Sequence, residues 1–201
     1  MIYGLQGLSI DYPVVLKLVV ELTRLLETYR GQITGQGVSN MIYGLQRFSS
    51  DHPEVLKLVV ELTRLLKTYK GEITGRVVGN MLLGLKGMLS DREEILALVI
   101  EITRLVKIYE GGSLADKNVT NNNYNLITGE SKKYDDYLTD QAVSNMIYGL
   151  KGLSSVDHPV VLKLVNVLTR LVKKYKGPIT GQGVSNMIYG LQGLSSSINV
   201  S

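Results

Sequence analysis

Met41-Ile42-Tyr43-Gly44-Leu45-Gln46 decides the fold, because the chain spells this string again and again. It stands first at Met1-Ile2-Tyr3-Gly4-Leu5-Gln6. It returns as Met81-Leu82-Leu83-Gly84-Leu85-Lys86, then Met146-Ile147-Tyr148-Gly149-Leu150-Lys151, then Met187-Ile188-Tyr189-Gly190-Leu191-Gln192. The intervals are 40, 40, 65 and 41 residues; Val156 accounts for the extra residue in the last, and an insertion after Tyr109 for the 65. A period near 40 belongs to helical-pair solenoids or to propeller blades.

Side-chain periodicity separates the two. Outward from Met41, the apolar residues Val38, Met41, Ile42, Leu45 and Phe48 fall on one helical face,. Thr34 reads as the N-cap of this first helix, helix A. Ser49-Ser50-Asp51 breaks it. Asp51 then reads as the cap of a second helix, helix B, with Glu54 completing a capping box and Pro53 in the first turn,. Val55, Leu56, Leu58, Val59, Leu62, Leu65, Leu66 and Tyr69 give helix B a broad apolar face, and Gly71 reads as its left-handed C-terminal cap,. No segment alternates with period two, which excludes a propeller. A single pair of helices cannot cover so wide an apolar face, whereas stacked pairs bury it in one continuous core.

The expected architecture is therefore all-α: one α-solenoid over residues 1–201, with units at about 1–32, 33–72, 73–110, 141–178 and 179–196. The first copy begins partway through a unit, the mark of an atypical first unit or of a piece of a longer array. Residues 111–140 read as a polar loop insertion, with a short helix around Ser131–Leu138. Such a loop is either a tolerated surface insertion or a binding lid,.

Composition fits a soluble, core-forming chain: 44% hydrophobic, 20% charged, without cysteine. No apolar run approaches the roughly 18 residues of a membrane span, and Met1–Gln6 is already unit sequence with no basic leader,. A soluble, cytoplasm-like protein is expected, its compartment undetermined. The formal charge of +4 divides unevenly. Residues 110–141 hold six acidic and three basic side chains, so the helical units together carry +7,.

Nothing points to catalysis, and no catalytic residue, cofactor, metal or small-molecule substrate is expected. His52 and His158 occupy one place that Tyr12 and Arg92 fill elsewhere. Gly35-Gln36-Gly37 lacks the third glycine and the preceding strand of a dinucleotide site. Asp135-Asp136 has no partner base.

Exposed ladders remain. On helix A, Gln36, Asn40, Tyr43 and Arg47 share a side; their counterparts are Arg76 and Asn80, then Gln141, Asn145 and Tyr148, then Gln182, Asn186 and Tyr189. Amides and aromatics suit base edges and base stacking. Tyr43 reads better as packing between units, while Gln36 and Asn40 fit recognition and packing equally. On helix B, Lys57, Arg64, Arg104, Lys163 and Arg170 form a cationic file that could track a phosphate backbone,. Glu21, Glu61 and Glu101 supply i, i+3 partners for the arginines of the first three copies, but Asn166 leaves Arg170 without one,.

Ile33-Thr34-Gly35-Gln36-Gly37-Val38-Ser39-Asn40-Met41-Ile42-Tyr43-Gly44-Leu45-Gln46 resembles the first helix of octotricopeptide repeats, which are related to those of FAST-kinase-like proteins. That helix reads approximately aromatic-Thr/Ser-Pro-Gln-Asp-Leu-Ala-Asn-x-Leu-Trp-Ala-Leu. Thr34, Gln36, Asn40 and Leu45 match directly, Ile33 and Tyr43 match in kind, and Gly35, Gly37 and Gly44 depart from it. The resemblance covers all units except the insertion. It implies an α-solenoid that binds RNA, with helix A side chains near the nucleotides. The expected function is thus a non-catalytic binding module for single-stranded RNA; the alternative is a protein–protein interaction scaffold. Neither involves a membrane.

Overall fold

The computed structural model describes residues 2–115, 138–153, 158–192 and 194. Eight α-helices run through them: α1 (Pro13–Thr28), α2 (Gly35–Tyr43), α3 (Pro53–Thr68), α4 (Gly75–Gly84), α5 (Glu93–Ala115), α6 (Asp140–Tyr148), α7 (Pro159–Lys174) and α8 (Gly181–Leu191). Short 3₁₀ turns at Ile2–Gly7, Leu85–Gly87 and Gly149–Gly152 complete the described elements, among which there is no strand. The chain is all-α, as the periodicity requires.

The helices form two rows. Ile2–Gly7 packs on α2, α2 on α4, α4 on α6 and α6 on α8, while α1 packs on α3, α3 on α5 and α5 on α7. The first set is the A row and the second the B row. Val38, Ile42, Leu45 and Phe48 of the A row meet Leu58, Leu62 and Leu66 of the B row in one apolar cluster, all fully buried.

Glycine sets the spacing of the A row. A Cβ on Gly44, Gly84, Gly149 or Gly190 would sit against the carbonyl of Ile2, Ile42, Leu82 or Ile147 on the preceding A element, closer than any real Cβ approaches. Only a residue without a side chain lets these backbones touch.

The two helix starts differ. Each A helix is capped as Thr34 suggests: the hydroxyls of Thr34, Thr74, Thr139 and Thr180 accept the N–H of Gly37, Val77, Ala142 and Gly183 at 3.0, 3.3, 3.1 and 3.0 Å. The B helix cap is otherwise. His52, not Asp51, holds the N-cap position of α3, without a side-chain bond, and Asp51 instead accepts a 2.6 Å bond from the Ser49 hydroxyl. Pro53 stands at the first helical position, where its missing N–H breaks no intrahelical bond,.

Helix ends also depart from expectation. Tyr69 closes α3 in an extended conformation (φ −71°, ψ 128°) and its ring folds back over Gly71, so the glycine is needed for room, not for a left-handed turn. The Tyr69 hydroxyl donates to the Glu72 carbonyl at 2.7 Å; Tyr29 and Tyr175 repeat this over Gly31 and Gly177. In the third copy nothing crowds Gly111, and α5 runs on to Ala115, five residues into the segment read as loop. At its other end, Thr139 and Asp140 already start α6. The helix expected around Ser131–Leu138 lies outside the described residues, apart from Leu138.

Candidate functional site

The structure separates the two ladders. The helix A set lies on the A row and the lysine–arginine file on the B row, so they do not line one surface.

On the A row, Gln36, Arg47, Arg76, Gln141 and Gln182 are exposed and Asn40, Asn80, Asn145 and Asn186 half-buried. Within α8 the Gln182 amide donates to Asn186 Oδ1 at 3.0 Å, while Ser39, beside Asn40, turns its hydroxyl to the Gln36 carbonyl. The tyrosines meet each other. Tyr3 and Tyr43 stack with ring centroids 5.6 Å apart, and Tyr148 and Tyr189 lie 5.5 Å apart, tilted by 37°. Leu83, the copy without a ring, is buried. Tyr43 is thus packed against the neighbouring A-row element, while Tyr189, on the last described A helix, stays 41% exposed.

A third file was legible but overlooked: Gln6, Gln46, Lys86, Lys151 and Gln192 hold the last place of the recurring six-residue string. Gln46 donates to Gln6 at 3.3 Å. Lys86 lies over the Tyr148 ring, 5.1 Å from its centroid, and Lys151 over Tyr189, at 4.0 Å,. Lys151 Nζ also donates to the Tyr189 hydroxyl at 2.5 Å, and this bond, with the charge behind it, holds that hydroxyl below the usual phenol range. Gln46, Arg47, Lys86, Tyr148, Lys151 and Tyr189 share an open groove of about 300 Å³.

Carboxylates are nearly absent here. Among the described A-row elements only Asp140 carries one, and it accepts from the Thr180 hydroxyl at 2.7 Å and the Ser144 hydroxyl at 3.3 Å, which ties the start of α6 to that of α8.

The B-row arginines are committed elsewhere. Arg24, Arg64 and Arg104 pair with Glu21, Glu61 and Glu101 at 2.8, 2.7 and 2.8 Å, as the i, i+3 spacing implies. Arg64 and Arg104 also reach back to the Leu26 and Leu66 carbonyls of the previous B helix, at 2.6 and 2.7 Å. These carbonyls belong to the last helical turn, whose end favours a cation, and each also accepts the N–H of the next tyrosine, Tyr29 or Tyr69, at 3.0 Å,. Arg170 is not partnerless: in place of a local glutamate it holds Glu110 of α5 with two bonds, at 2.8 and 2.9 Å, and Lys174 adds a third at 3.4 Å. The guanidinium keeps the Glu110 carboxyl below the usual glutamate range. Lys57 and Lys163 are exposed.

No family model, curated protein or solved structure matches the chain.

Among the described residues no cluster of histidine and carboxylate side chains could hold a metal ion. No described helix is long and apolar enough to cross a membrane.

Proposed function

We propose that the chain is an α-solenoid of tandem two-helix units, a non-catalytic module that binds single-stranded RNA along its A row. One observation carries this reading: the A helices present amides, the turns that follow them present the cations Arg47, Lys86 and Lys151, and the single carboxylate of the described A-row elements, Asp140, accepts bonds from two hydroxyls. A surface of this kind attracts a polyphosphate chain and does not repel it locally, and its amides can meet base edges. The resemblance of Ile33–Gln46 to octotricopeptide repeats points the same way. Because the tyrosines stack on one another, amides and cations carry the recognition, and aromatic stacking on bases is confined to the exposed Tyr3 and Tyr189.

Fluorescence anisotropy with labelled oligouridylate and oligoadenylate over a salt series tests the reading. Affinity is expected to fall steeply with salt. Replacing Arg47, Lys86 and Lys151 together by glutamine, the residue that Gln6, Gln46 and Gln192 already put in the place of the two lysines, lowers the slope of log K against log salt by about 2,. A flat salt response, or unchanged binding by the triple variant, refutes it. A second reading, the protein-interaction scaffold, draws on the apolar groove between α5 and α7.

A further inference from the structure

The outer groove between α5 and α7 differs from its siblings. Its volume is about 530 Å³, and Ile100, Ile108 and Val160 line it together with Lys107 and Lys163. At the α1–α3 joint the places of Ile108 and Val160 are held by Thr28 and Glu54, and at the α3–α5 joint by Thr68 and Glu94. In a chain whose units are otherwise close copies, one joint has exchanged a hydroxyl and a carboxylate for two aliphatic side chains. The exchange leaves apolar surface open: Ile100 and Ile108 are each 50% exposed. It also leaves charge unanswered. Arg104 is bound to Glu101 and the Leu66 carbonyl, but Lys107 and Lys163 make no ion pair among the described residues, and α7 contains no carboxylate.

We infer that this groove docks an acidic, leucine-rich peptide segment of a protein partner. The aliphatic floor takes the leucines and the two lysines at its rim take the carboxylates. The size is that of a site for a few side chains. Half-exposed isoleucines describe an open trough, which admits a chain passing through it and does not enclose a free small molecule. Nucleic acid is disfavoured, because no aromatic ring or side-chain amide lines the trough,. The inference is independent of the A row.

The sibling joints supply the test. Ile108→Thr with Val160→Glu writes into this groove residues that α3 and α5 already carry, and Lys163→Ala copies Ala97 of α5, so these changes are compatible with the fold. The probe is a short fluorescein-labelled peptide alternating leucine with glutamate, followed by anisotropy and by methyl NMR of isoleucine-labelled protein. The Ile100 and Ile108 methyls are expected to shift on titration. The double variant, with an unchanged circular dichroism spectrum and melting temperature, weakens binding by about tenfold or more, because a glutamate then faces the peptide carboxylates. The Arg47, Lys86 and Lys151 variant binds the peptide as the native chain does. Equal binding by the double variant, equal binding of a leucine–lysine peptide, methyl shifts confined to other grooves, or binding of decanoate without binding of the peptide would each overturn it.

Discussion

Leu62 and Arg64, two residues apart on α3, hold the molecule together in different ways. Leu62 is fully buried between the rows, so Leu62→Ala leaves a cavity and should cost about 2–5 kcal/mol,. Arg64 is half-exposed and bridges to the Leu26 carbonyl. Arg64→Ala removes a charge-assisted bond whose acceptor can turn to water, a loss of about 1–2 kcal/mol. Urea unfolding of both variants checks the ranking; equal losses would mean that Leu62 does not face the core. The arginine illustrates the limit of local spacing. Its glutamate partner, Glu61, stands three residues earlier in the sequence, but its second partner, the Leu26 carbonyl, belongs to another helix.

Between elements, the deciding contact is backbone on backbone. Alanine is favoured over glycine in a helix by about 1 kcal/mol, so propensity alone would make Gly84→Ala stabilising. The carbonyl of Ile42 occupies the space a methyl group needs, and backbone cannot rotate aside as a side chain can. We expect Gly84→Ala to destabilise by about 1–3 kcal/mol through forced separation of α2 and α4. Gly4→Ala, with nothing near its Cβ, is the neutral control. Thermal unfolding of the two variants separates the effects; a stabilised Gly84→Ala would show that the A row tolerates wider spacing.

At the scale of the whole molecule, the Glu110 clamp joins α5 to α7 across 60 residues of sequence, over the insertion. The Glu110 carboxyl is held below its usual range by the Arg170 bonds. A lowered folded-state pKa means that the clamp contributes fully above the unfolded value, about 4.3, and that the contribution fades as pH falls through the lower folded value. Denaturant midpoints measured from neutral pH downward should therefore fall less steeply for Glu110→Gln than for the native chain. Identical acid limbs would show that the clamp adds nothing. The ends of the rows are dressed differently from the middle. Leu18 and Leu25 of α1 are 44% and 43% exposed, whereas their counterparts Leu58 and Leu65 lie under a neighbouring helix; Ile188 of α8 is 61% exposed against 0% for Ile42.

The sequence by itself determined most of what depends on neighbours three and four residues away. It determined the helices, the apolar face of α3, the threonine caps of the A helices and the glutamate partners of Arg24, Arg64 and Arg104, because a helix brings i, i+3 and i+4 together wherever it lies. Where local chemistry offered two solutions, the reading failed: Asp51 turned to Ser49, and the room over Gly71 went to the Tyr69 ring. The candidate site was legible as a set of residues but not as a surface. Only the packing of the rows decided that the A-row amides and the B-row cations lie apart, that Tyr43 stacks on Tyr3, and that Arg170 finds Glu110. Those outcomes turn on which helix stands next to which, and on what polar group each buried carbonyl or open charge can reach, distances that no periodicity along the chain contains.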